Sequence, residues 1–264
     1  MSKFFGIARL QIKEMIAYKF EVLIWGILNP IVLAVLYFLW QAIYSYSGAT
    51  VLRGFTFEAL IAYYTLTTIL SSVTWTMVDQ ELSHKVREGT LVNALIRPIH
   101  VFIKYLYEKI SELGFVFVGQ ITPVIIIGVM FLHVRASSPL NLLLFVISAI
   151  LAMLLSFSFA FFVGLSSFWL TKYGGVRMFR MGLQWFLGGS VVPLIFFPNF
   201  LQKISNFLPF QYIAYEPVQV FLGHYDLISS LGVIAMQLVW LAILLSLTIF
   251  GWRIALKRFS AVGQ

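Results

Sequence analysis

Six separate stretches of this chain are apolar over about the length of a bilayer crossing, and that feature decides most of what it can become. A helix needs roughly 20 mostly apolar residues to cross about 30 Å of hydrocarbon. The stretches are Val22–Tyr44, Phe57–Val78, Leu113–Leu132, Leu140–Leu170, Gly182–Phe197 and Ile228–Trp252. The fourth is long enough to tilt; the fifth is short and glycine-rich, with Pro193 near its end. Of 264 residues 61% are hydrophobic and 11% charged, whereas soluble domains carry about 25% charged residues. A water-soluble enzyme, a disordered chain and a nucleic-acid-binding module are thereby excluded. The sequence has no cysteine, which removes disulfides and thiolate metal sites. Lys and Glu residues interrupt the first 21 positions, so they do not read as a signal peptide. The expected fold is an all-α integral membrane domain over residues 1–264 with six transmembrane helices. No gap between stretches reaches the 50 or so residues of a soluble domain.

Basic residues set the orientation. Only Arg53, Arg135 and Lys203 of the 18 Lys and Arg fall on one side of these crossings. Cytoplasmic loops hold such an excess, so both termini are expected in the cytoplasm, at the plasma membrane. Anionic lipid then accounts for the net charge of +8.

Four stretches add detail. In residues 1–21 apolar side chains recur at helical spacing opposite Lys3, Arg9, Lys13 and Glu14. That pattern describes an interfacial amphipathic helix, either an anchor or a lever into the first span. In the cytoplasmic segment 79–100, Gly89 breaks one helix, Thr90 is placed to cap a short helix Leu91–Ile96, and Pro98 ends it. Leu91, Leu95 and Ile96 have no bilayer core there. They suit the membrane surface, the groove of a cytosolic partner, or an ordinary loop. Residues 198–226 hold two apolar pieces, about Phe200–Leu208 and Tyr212–Leu222, parted at Pro209. Each is too short to cross, which predicts a re-entrant hairpin between spans five and six, or an interfacial aromatic belt. Glu216 is its one internal carboxylate; it faces either the pathway or outer water. In the fourth span, Ser148, Ala152, Ser156, Ala160 and Gly164 recur every fourth residue, a row that lets another helix approach, within the chain or across a dimer.

Chemistry within the spans is sparse. The second span carries most hydroxyls, which either line a path or bond back to their own helix. Intramembrane carboxylates of the kind a proton- or sodium-driven carrier uses are lacking. The sequence has no H-E-x-x-H, G-x-S-x-G or G-x-x-x-x-G-K-[ST] pattern, so neither catalysis nor ATP hydrolysis is expected of the chain.

The string REGTLVNALIRPI, Arg87 to Ile99, follows the second of six spans and resembles the signature of permease subunits of type 2 ATP-binding-cassette (ABC) transporters. The likeness extends to a basic amphipathic N-terminus, six spans with both ends inside, and a broken hairpin before the last span. The chain departs at Val92-Asn93, where an acidic residue is frequent, and at Arg97, where serine is common. The resemblance implies an exporter subunit whose coupling helix, around Glu81, Lys85, Arg87, Glu88, Gly89, Thr90 and Leu91, docks on a separate cytosolic ATPase. It implies a second permease subunit, identical or paralogous, and a pathway lined by Thr65, Thr68, Ser72, Trp75, Gln184, Gly188 and Ser190. The hairpin, with Pro209 and Glu216, would close the outer end. ATP and Mg would belong to the partner, and no metal or cofactor to this chain. A gradient-driven carrier or channel, and a non-transporting assembly factor, are the alternatives.

Overall fold

A computed structural model describes residues 19–259. The N-terminal helix expected over residues 1–21 lies outside the described residues, apart from its last turn, which opens α1. Four helical stretches among the described residues are long and apolar enough to cross a membrane: Ile24–Ser47, Val101–Met130, Pro139–Phe168 and Leu227–Arg258. The first belongs to α1, Lys19–Ser47. The second is α5, Val101–Val116, a π-helical turn over Phe117–Ile121, and α6, Thr122–Met130. The third is α7, Pro139–Gly164, with a 3-10 turn after it, and the fourth is α11, Leu227–Arg258.

The central helix is α7. Half of its apolar window, 50%, is buried within the chain, against 11% for α1. The four-residue row of small side chains explains this position. Ser148, Ala152, Ser156 and Ala160 are all fully buried, and a Cβ on Gly164 would stand 2.9 Å from the Asp79 Cα. The row therefore serves packing within the chain, and none of it is left over for a dimer contact. Ser148 donates to the Gln237 side chain of α11 at 3.0 Å, and Gln237 Nε2 donates to the Ser148 and Tyr212 carbonyls at 3.0 and 2.8 Å. Ser148 and Gln237, both buried among apolar helices, are thus paired with each other, which offsets the cost of taking them out of water.

The π turn has a local cause. Pro123 has no N–H, and its ring presses on the carbonyl four residues earlier, that of Gly119. The helix widens there, and α1 crosses at the same level: a Cβ on Gly26 would stand 2.2 Å from the Gly119 carbonyl oxygen. Gly26→Ala is expected to push α1 off this contact at a cost of about 1–3 kcal/mol, the usual range for overpacking. Thermal unfolding of the detergent-solubilised chain followed by tryptophan fluorescence measures it.

Three elements differ from expectation. The fold is not purely helical: β1, Val51–Leu52, pairs antiparallel with β2, Phe55–Thr56. Arg53 and Gly54 turn between them, both at positive φ, the geometry of a two-residue hairpin loop matched to strand twist. The second stretch is helical only as far as Thr74, as α2, Phe57–Thr74; Trp75 is extended, and a separate helix, α3, Val78–Arg87, starts at the last residue of the stretch. No Gly or Pro marks this break. The fifth stretch begins at Gly174 rather than Gly182, as α8, Gly174–Leu187, and stops at Gly188–Gly189 instead of running to Phe197. Arg177 and Arg180 read as loop residues in sequence. Both are helical, and Arg180 finds a buried partner there.

The hairpin region forms α9, Asn199–Asn206, a 3-10 turn over Pro209–Ile213, and α10, Tyr215–Leu222. Pro209 opens the turn and is buried. Gly223 ends α10 at φ +76°, and a Cβ there would meet Ser137. This region packs on α7 and α11 through Phe210, Tyr212, Ile213 and Val220.

Candidate functional site

A cavity of about 1050 Å³ runs between α1, α2, α3, α5 and the stretch after α8. One end is neutral: Asn29, Tyr64, Thr67, Thr68, Ser71 and Ser72 line it together with Trp25, Val32 and Leu36. The other end is charged, with Glu81, Lys85 and Arg97 on one side and Lys104, Glu108, Lys109 and Glu112 on the other.

Helical spacing builds the charged wall. Positions 104, 108, 109 and 112 share one face of α5. Lys104 donates to Glu108 at 2.5 Å and Lys109 to Glu112 at 3.3 Å, and the two lysine side chains are only 11% and 4% exposed. Across the gap Lys85 donates to Glu81 at 2.6 Å. Tyr105 lies between the walls, with the Lys85 and Lys104 ammonium groups 4.9 and 4.7 Å from its ring centre. Cation–π attraction of this kind grows where water is excluded. The helix Val101–Met130 has 30 residues, about 45 Å at 1.5 Å each, so its charged first turns extend past a hydrocarbon layer of about 30 Å.

The neutral end is less open to hydrogen bonding than its composition suggests. Thr65, Thr67, Thr68, Ser72 and Thr74 each donate to a carbonyl of α2 itself, at 2.8–3.2 Å. The Ser72 hydroxyl also accepts, from Asn29 Nδ2 at 3.2 Å. Trp75 and Trp185 stack with ring centres 6.1 Å apart and close this part of the wall.

Of the seven expected pathway residues, Thr68, Ser72, Trp75 and Ser190 line the cavity. The other three do not. Thr65 is buried, and its methyl fills the space a Cβ on Gly128 of α6 would take. Gln184 is buried behind Trp185, and Gly188 faces the Phe210 carbonyl, its own carbonyl accepting from the Tyr215 amide at 3.0 Å. Side-chain direction on α2 and α8 sets Thr65 and Gln184 apart from the lining residues, and sequence spacing alone does not report it. The contribution of α1 and α5 to the wall is not among the sequence expectations. The signal for it was legible: two Lys–Glu pairs on one helical face, and Asn29 inside an apolar run.

Tyr63 and Tyr64 donate to the Gly189 and Val191 carbonyls at 2.6 and 3.3 Å, and Ser205 to the Leu187 carbonyl at 2.6 Å. These bonds tie the stretch after α8 to α2 and α9. Pro209 and Glu216 lie in this region and do not line the cavity. Burial raises the Glu216 carboxyl above its ordinary range, and a hydrogen bond with Tyr225 opposes the rise.

The segment leading from α3 is shaped by burial. Gly89 turns the chain at φ +70°, and the Leu91 amide reaches back to the Lys85 carbonyl at 3.1 Å. The next helix, α4, is Val92–Leu95, preceded by Leu91 in place of the expected Thr90 cap. Leu91 is fully buried with Val78, Leu82, Val101 and Tyr105. It roots the segment and has no surface to offer a partner. Val92, Leu95 and Ile96 point the other way, 39%, 36% and 77% exposed. Lys85, Arg87, Glu88 and Thr90 surround them; Glu88 pairs with His84 at 3.0 Å.

The most buried charges are ones the sequence did not bring together. Asp79, in the first turn of α3, is completely enclosed, and Arg180 of α8 donates to it through Nε at 2.9 Å and Nη2 at 3.4 Å. Tyr173 donates to the same carboxylate at 3.0 Å. Burial, and next the adjoining carboxylate, push the Tyr173 hydroxyl pKa up. From Arg180 the bonds continue to Gln184, from Gln184 to Ser156, and from Ser156 to the Thr74 carbonyl at 2.7 Å.

The sequence profile described as ABC-2 family transporter protein matches residues 31–263. No curated protein matches the chain at a significant level.

Proposed function

The chain belongs to the ABC-2 transporter family, and on that premise we propose that it is the permease subunit of an ABC exporter, driven by a separate cytosolic ATPase. It is a membrane protein by family and by its apolar helices. In this reading six segments cross the plasma membrane, with α2 and α8 as shorter crossings beside the four long ones. Both termini and the charged end of the cavity face the cytoplasm, and α9 and α10 form the re-entrant outer hairpin. The chain itself performs no catalysis; ATP and Mg belong to the partner.

The observation that carries the proposal is the segment Arg87–Pro98. An exposed apolar triad on a helix held by one fully buried leucine, beside the charged mouth of a cavity, fits the groove of a partner. Glu81, Lys85, Arg87 and Glu88 around it supply register and partner choice. A cavity with a polar wall cannot face lipid tails. A second permease subunit, identical or paralogous, closes it and completes the pathway. Its neutral, aromatic upper wall and its inner mouth of both charge signs suit an amphipathic cargo.

Affinity purification in mild detergent tests the docking. The native chain is expected to retain an ATPase subunit. The variant Leu95→Asp/Ile96→Asp is expected to lose it while the chain is recovered in unchanged yield, since both side chains lie at the surface. Retention of the ATPase by that variant would refute the proposal.

A further inference from the structure

We infer that Asp79 and Arg180 are positioning residues for the transport cycle: their ion pair makes α3 and α8 move as one body, so that the docking segment sets the Trp75–Trp185 wall of the cavity. The inference rests on the permease reading above.

The break between α2 and α3 is the starting point. Trp75 leaves helical geometry at φ −57° and ψ 132°, and the carbonyls this frees are taken by neighbours. Ser156 of α7 donates to the Thr74 carbonyl at 2.7 Å, and Arg180 Nη2 lies 3.5 Å from that of Thr76. The hinge is thus built into the fold, with three residues able to absorb rotation between two helices. On its far side α3 runs directly into the segment with the exposed triad.

A hinge by itself would let α3 swing without consequence for the cavity. The two-point Arg180–Asp79 contact prevents that. Fork-shaped guanidinium–carboxylate bonds fix orientation as well as distance, and both side chains are buried, at 4% and 0% exposure, away from water that would replace the partner. Any displacement of α3 therefore travels into α8. Trp185 sits just over one helical turn beyond Arg180, and its stacking partner Trp75 sits on the hinge. When α3 and α8 move together relative to α2, that stack changes, and with it the cavity wall.

Holding α3 in the fold does not require the pair. Leu82, Leu91, Phe157 and Phe161 already join α3, the docking segment and α7 in one apolar cluster. A buried ion pair is a weak stabiliser compared with apolar residues of the same volume. A structural role and a positioning role thus predict different things for the double variant Asp79→Leu/Arg180→Met.

The native chain has no cysteine, so Ser71→Cys on the cavity wall is the only thiol the chain then holds. The permease is purified with its ATPase into nanodiscs, and maleimide labelling of that thiol is compared without nucleotide and with ATP plus vanadate. With the ion pair intact, labelling is expected to change at least about fivefold, the low end of ordinary coupling between sites. In the double variant the chain is expected to fold, keep its ATPase and hydrolyse ATP, while labelling becomes the same in both states. The reversed pair Asp79→Arg/Arg180→Asp is expected to regain part of the response. A double variant that responds like the native pair overturns the inference alone. A native pair that ignores nucleotide overturns the permease reading and this one with it. Should the double variant not assemble, Arg180→Lys keeps the charge and loses the fork, and an unreduced response there overturns the inference.

Discussion

Replacing Arg180 by methionine alone is expected to destabilise the fold by about 3–5 kcal/mol, the usual result of leaving one member of a buried ion pair without its partner. The Asp79 carboxylate would keep only Tyr173 as a side-chain donor, at 3.0 Å, in a site that water does not reach. Adding Asp79→Leu is expected to recover most of the loss, because the desolvated charge is then gone. Thermal unfolding in detergent, followed by tryptophan fluorescence, compares the native chain with both variants. Additive losses would show that the two residues do not interact as drawn. The partial recovery also makes the double variant usable for the labelling experiment.

The second large effect concerns Leu91. Truncation to alanine empties space among Val78, Leu82, Val101 and Tyr105, and is expected to cost about 2–5 kcal/mol. Val92→Ala, one residue along, is expected to stay within about 0.5 kcal/mol because its side chain faces out. The same unfolding assay separates the two. A loss at Val92 equal to that at Leu91 would contradict the burial pattern on which the docking face rests. In sequence the four apolar residues Leu91, Val92, Leu95 and Ile96 look alike. Their division into root and face follows from the turn at Gly89, which aims Leu91 inward.

Much of the cavity wall follows from features a reader of the sequence can find. Hydroxyls crowd the second apolar stretch, and Thr68, Ser72 and Trp75 do face the cavity. Thr65 lies off this cavity because a helix has two sides, and its own side meets α6. Gln184 lies off it for the same reason, one turn past an arginine on the face of α8 that meets Asp79. The row of small residues was legible down to its spacing. That it serves α3 and α11 rather than a second subunit was decided by what packs on it.

Hydrophobic length and the placement of charge determined, from sequence alone, that this is a helical membrane protein, and they set where its long helices run. Those properties depend on residues close together along the chain, and water and lipid read them without reference to the rest of the fold. The hinge at Trp75, the early start of α8 and the pairing of Asp79 with Arg180 were decided only in three dimensions. Each depends on a partner far away in sequence: an arginine becomes a helical, buried residue only where folding brings a carboxylate within about 3 Å, and nothing local announces that meeting.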